Sequence, residues 1–200
     1  MIFGLALSVG AITLVSSPPA SVRAIENDVA TFGFSFLILI TIWLRYTRIM
    51  SVLPLQSPRV VNLNIILLFL VSLEPFFFNI VNNTPLLVTN PETYGDAAST
   101  PYAFDLAGLM FILGSFTLTV ADEERKLIPK DLTSQFKRES ATWLVMGCLY
   151  LATVLPFFYT NYIDGVRLRY LLWIVPQVFI FAIRTYGRLA ARRKSVPSAS

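Results

Sequence analysis

The chain has 200 residues, 55% of them hydrophobic and only 14% charged, with a formal net charge of +4 and no histidine. Soluble domains carry about 25% charged residues, and a mean hydropathy of +0.64 points to a membrane protein instead. Without histidine there is no imidazole metal site and no histidine-based acid–base catalysis, and the lone Cys148 excludes an intramolecular disulfide.

No GxSxG, HExxH, P-loop or dinucleotide fingerprint occurs. The reading is therefore not an enzyme, with no cofactor and no metal. The basic residues fall mostly between apolar runs, where they orient a membrane protein, and nothing suggests a nucleic-acid partner. The apolar runs do not alternate as barrel strands do. The expected fold is all-α: a polytopic membrane protein with six transmembrane helices and both termini cytoplasmic.

The first span, residues 1–15, reads MIFGLALSVGAITLV and carries no charge. As a helix it places Leu5, Val9 and Ile12 on one stripe, with Ser8 beside them. Its length is about 22 Å, short of the roughly 30 Å hydrocarbon core. Two explanations stand: a signal peptide cleaved near Val22-Arg23-Ala24, or a helix that starts upstream of Met1. The missing basic residue before the apolar run argues against the signal peptide. Residues 16–28 are expected as a loop, since Pro18 and Pro19 stop a helix and Asn27 or Asp28 could cap the next.

The second span, about 29–50, ends in Trp43, Arg45, Tyr46 and Arg48, an aromatic and basic interfacial anchor. The third, about 60–81, begins with Asn62 and Asn64, expected to cap or bridge helices, and contains Glu74-Pro75. An acid inside a bilayer is a functional candidate with a partner to be found. For Glu74 the choices are ion attraction, proton coupling, or a water-exposed place at the outer interface beside a Pro75 kink; the last is the expectation. Residues 82–101 read as a long acidic loop, with a sequon at Asn82-Asn83-Thr84.

The fourth span is about 102–120, with Asp105 near its start, where an acid suits the helix dipole. A charged loop, 121–139, follows. The fifth span is about 140–159, kinked at Pro156, and a short loop leads to the sixth, about 170–186, with Pro176 and Arg184. A basic cytoplasmic tail, 187–200, closes the chain. Arg45, Arg48, Arg59, the basic residues of 121–139 and the tail share one side, and that side is read as the cytoplasm.

Spans two and three carry a recognisable order of residues: Ser35-Phe36-Leu37, Trp43-Leu44, Tyr46, Arg48, Leu63-Asn64, then Leu73, Pro75 and Phe76. This order resembles the prokaryotic members of the transmembrane protein 175 family of potassium channels, best over residues 1–76. The family signature, an arginine followed after three residues by Phe-Ser-Asp, is absent. Met1-Ile2-Phe3-Gly4-Leu5-Ala6-Leu7-Ser8 resembles the stretch that follows it, so the chain begins as though just after the signature.

The resemblance implies a homotetramer in the cell membrane that conducts potassium ions passively, with the first helix of each copy lining the pore. It implies Leu5 as the narrowest apolar ring, Val9 and Ile12 as the next layers, and Ser8 as the hydroxyl near the filter. Apolar rings of this kind gate by dewetting. Two other readings stay open. One is a proton-coupled secondary transporter using Glu74; the other is a non-conducting membrane scaffold. The stripe could also be ordinary helix packing, with Ser8 bonded to its own i−4 carbonyl.

Overall fold

A computed structural model describes residues 3–6, 8–9, 12, 22–53, 57–87, 91–122, 129–163, 166–175 and 178. The chain is helical apart from one short β-ladder. Helical residues at 3–6, 8–9 and 12 precede α1 (Val22–Met50), α2 (Pro58–Leu87), α3 (Pro91–Val120), α4 (Lys130–Ala152) and the one-turn α5 (Pro156–Thr160). Strands β1 (Tyr162–Ile163) and β2 (Val166–Arg167) pair antiparallel, and residues 168–175 are again helical. Three of the helices are long and apolar enough to cross a membrane, over Phe32–Met50, Pro58–Phe77 and Ser99–Val120.

The central helix is α3. Leu106, Leu109, Met110, Leu113 and Phe116 are all fully buried, so this helix is apolar-packed on most of its circumference. Small residues let its neighbours approach. Ser140 Oγ of α4 donates to the Gly114 carbonyl at 2.8 Å, across the α3–α4 contact. In the same seam Gly147 of α4 lies against the Phe111 ring, where a Cβ would fall 2.6 Å from the nearest ring carbon. By contrast, α1 and α2 expose Leu37, Leu44, Ile65, Ile66 and Phe69. A band of exposed apolar side chains on long helices is what hydrocarbon, rather than water, accommodates.

One end of the bundle is tied by charge and aromatic contacts. Arg45 of α1, almost wholly buried, forms an ion pair with Glu139 of α4, and its guanidinium lies 5.6 Å from the Phe136 ring centroid. Tyr46 Oη donates to Asn64 Oδ1 at 2.8 Å, so Asn64 bridges α1 and α2 as expected from the sequence. Tyr46 also meets the Phe116 ring edge-on and the Phe3 ring of the N-terminal helical segment.

The element boundaries differ from the sequence reading in three places, each with a physical cause. First, α1 begins at Val22, so the last part of the expected 16–28 loop is helical. Second, α2 runs through Pro75 to Leu87 and α3 starts at Pro91, so most of the expected 82–101 loop is helix, including the Asn82-Asn83-Thr84 sequon. Pro75 and Pro101 are housed inside helices, since their fixed φ is compatible with helical backbone. Asp105 accordingly lies about four turns inside α3, far from the dipole of its first turn.

Third, the fifth span is broken. The helix ends at Ala152, and Leu155 is extended (φ −62°, ψ 140°) ahead of Pro156, which restarts one turn. A proline disfavours helical backbone in the residue before it, so Pro156 interrupts where a kink was expected. The expected span at 140–159 is thus not one continuous helix, while the described residues of 170–186, namely 170–175 and 178, are helical. Pro176, Arg184, the remainder of 179–186 and the 187–200 tail lie outside the described residues.

The tight α3–α4 seam yields a prediction. Gly147→Ala forces a methyl into the Phe111 ring and should destabilise the protein by about 1–3 kcal/mol. Gly108→Ala meets only the flexible Leu70 Cδ1 and should cost less. Thermal unfolding of both variants in detergent checks the order.

Candidate functional site

Two places carry the residues singled out in the sequence. The first is the N-terminal helical segment. Phe3 and Ala6 are buried and face the bundle, with the Phe3 ring tilted against the Tyr46 ring at 5.8 Å between centroids. At helical spacing this leaves the other face outward. Leu5 (64%), Val9 (41%) and Ile12 (65%) are exposed, and so is Ser8. The four stripe residues therefore share one uncovered face. Ser8 Oγ donates to the Gly4 carbonyl at 2.8 Å, the i−4 bond open to any helical serine.

The second place is inside the bundle, at the end opposite the Arg45–Glu139 pair. Glu74 is completely buried, which overturns its expected water-exposed position at the outer interface. The helix does not end or open at Pro75, so the side chain remains in the α1–α2–α3 contact. Ser35 Oγ of α1 lies 2.7 and 2.9 Å from the two carboxyl oxygens, and Tyr102 Oη of α3 donates to Oε1 at 3.1 Å. A buried carboxyl without such donors would be strongly destabilising. Here two hydroxyls from two other helices supply them.

Around this centre α3 presents Ser99, Tyr102 and Asp105 at intervals of three, on one face. Asp105 is 3% exposed, and neither of its carboxyl oxygens has a hydrogen-bond partner among the described residues. It interacts electrostatically with both Glu74 and Tyr102. At the other end of the row, Ser99 Oγ accepts from Arg169 Nη1, and Arg169 Nε donates to the Thr153 carbonyl at 3.1 Å. Trp173 Nε1 donates to Thr153 Oγ1 at 3.1 Å, and the Trp173 ring meets Tyr102 edge-on at 5.1 Å. One polar network thus joins α1, α2, α3, the break after α4, and the helical residues after β2.

The sequence reading found Glu74 and weighed Asp105, but missed Ser35, Tyr102 and Arg169 as its surroundings. Arg169 is fully buried, although it falls in the short loop expected before the sixth span. The i, i+3, i+6 row of Ser99, Tyr102 and Asp105 was available in the sequence, but the expected loop up to residue 101 cut it in two. The described residues hold no group of three or more His, Cys, Asp and Glu side chains able to bind a metal ion. Nothing brings the N-terminal stripe into hydrogen-bond contact with Glu74, whose partners both lie elsewhere.

Removing either hydroxyl should leave Glu74 short of a donor. Ser35→Ala and Tyr102→Phe are each expected to cost about 1–3 kcal/mol of stability. Combined with a Glu74→Leu background, the same changes should cost markedly less, because the group they serve has gone. A double-mutant cycle read by thermal unfolding decides this. No family model, curated protein or solved structure matches the chain.

Proposed function

We propose that the protein is a potassium-preferring cation channel of the cell membrane, a homotetramer whose pore is lined by the N-terminal helix of each copy. The observation that carries this reading is the division of that helix into two faces. Phe3 and Ala6 fix it to the bundle, while Leu5, Ser8, Val9 and Ile12 remain uncovered. The resemblance to the transmembrane protein 175 family assigns those same four positions to the pore, and the three spanning-length helices are compatible with a membrane protein.

In this reading four Leu5 side chains close the axis as an apolar ring, and Val9 and Ile12 add further layers. Such a ring sheds water when narrow and passes a hydrated or partly hydrated cation when wide. Ser8 spends its proton on the Gly4 carbonyl, which leaves the hydroxyl oxygen with lone pairs for a passing cation. Conduction is passive and involves no catalysis. The lysine and arginine pattern supports a six-span, multi-pass subunit with both termini in the cytoplasm.

A second reading is favoured by one specific observation, the burial of Glu74 beside Asp105. Intramembrane acids mark proton relays in carriers, and a proton-coupled secondary transporter would use them. Glu74→Gln separates the two: coupled flux would vanish, whereas channel conduction would persist. A non-conducting scaffold would show an intact tetramer with no flux.

The deciding experiment is potassium flux into liposomes containing the purified protein and, in parallel, Leu5→Ala. A channel with Leu5 at its constriction should pass potassium, and Leu5→Ala should pass it several-fold faster or discriminate less against sodium. An intact tetramer that passes no potassium in either form would sink the proposal.

A further inference from the structure

The buried end of the bundle holds chemistry that an N-terminal pore does not use. Glu74 and Asp105 share one cluster with the hydroxyls of Ser35 and Tyr102, but the two carboxyls are served differently. Glu74 has hydrogen bonds from two hydroxyls, which stand in for water. Asp105 has none from any described residue, although it is as deeply buried. It lies one helical turn after Tyr102 on the same face of α3, so its unpartnered oxygens belong to the same cluster. Neither carboxyl is seen in an ion pair among the described residues; the Arg45–Glu139 pair lies at the other end of the bundle. Arg169 directs its Nε and Nη1 to the neutral oxygens of Thr153 and Ser99.

An ionisable group at this depth calls for a partner. The donors are all oxygen: two carboxyls and two hydroxyls. Such a set suits hard cations and not thiophilic or imidazole-seeking metals. Calcium takes six to eight oxygen ligands and magnesium holds on to its waters, more than two carboxyls and two hydroxyls of a closed bundle offer, so a monovalent cation is the better fit. Both hydroxyls keep lone pairs after donating to Glu74.

We infer that Glu74 and Asp105, with the hydroxyl oxygens of Ser35 and Tyr102, bind one desolvated alkali-metal cation, sodium or potassium, within the helix bundle of a single chain. The site is separate from the proposed pore axis and does not rest on the channel reading. The bound cation holds α2 against α3 at this end, through carboxyls contributed by each.

Trp173 offers a reporter, because its ring meets Tyr102 at 5.1 Å. The experiment uses the full chain carrying Trp43→Phe and Trp143→Phe, purified in detergent. Its fluorescence and melting temperature are followed while sodium, potassium or calcium chloride replaces N-methylglucamine chloride at fixed ionic strength and fixed pH. The expected result is a saturable fluorescence shift and a raised melting temperature with sodium or potassium. Both should be lost in Asp105→Asn, and the apparent affinity should fall in Glu74→Gln. The arm that saturates at lower concentration identifies the preferred cation.

Equal behaviour in all salts overturns the inference, as does a response to calcium alone or one that survives Asp105→Asn. A signal that follows pH and ignores the cation also overturns it and assigns the cluster to a proton. Should Asp105→Asn fail to fold, the affinity change in Glu74→Gln carries the test alone. The readout is binding in detergent, so a protein that binds the cation but passes no flux would leave this site standing and remove only the channel.

Discussion

A carboxyl group removed from water must find its hydrogen bonds within the protein, and Glu74 finds them on two other helices. Ser35 reaches it from α1 and Tyr102 from α3. In an apolar bundle most helix contacts are non-directional: methyl groups slide past one another at little cost, and rotation of a helix about its axis exchanges one apolar face for another. A hydrogen bond to a buried acid does not allow this, because a turned helix leaves the acid without its donor. The Glu74 network therefore fixes the rotational setting of α1, α2 and α3 together. Tyr102 extends it through its ring to Trp173, and Trp173 through Thr153 to Arg169.

The bundle consequently has two pinned ends and a smooth middle. At one end Arg45 pairs with Glu139, and Tyr46 with Asn64. At the other lies the carboxyl network. Between them α3 is packed by Leu109, Met110 and Leu113, with Ser140 and Gly147 bringing α4 close. The N-terminal helical segment joins this frame through Phe3 against Tyr46, the residue that also holds α1 to α2. Its exposed stripe is thus mounted on a residue that itself ties α1 to α2.

The helical class and the three spanning-length segments were legible in the sequence because they follow from apolar content and run length alone. Boundaries were less so. Pro75 sits within a helix, as its reading inside the third span requires, and Pro101, read as the end of a loop, does too; Pro156, read as a kink, breaks its helix. Nothing in a proline itself distinguishes these cases. Glu74 stood out as an intramembrane acid, but its depth could not be read, since that depends on which helices cover it. The outward stripe of Leu5, Ser8, Val9 and Ile12 was readable from spacing. Its partner face was not, because Phe3 and Ala6 are no more apolar than the residues opposite them.

The Arg45–Glu139 pair also bears on how the chain is made. Arg45 leaves the ribosome about ninety residues before Glu139, and at about 5–20 residues per second this interval lasts several seconds. Throughout it α1 carries its guanidinium without the Glu139 carboxylate. The long side chain has one inexpensive refuge, which is to extend along the helix toward the headgroups. Only when α4 emerges does Glu139 draw it inward beside Phe136. The contact of Arg45 with Glu139 and Phe136 is therefore made late: it waits on the synthesis of α4.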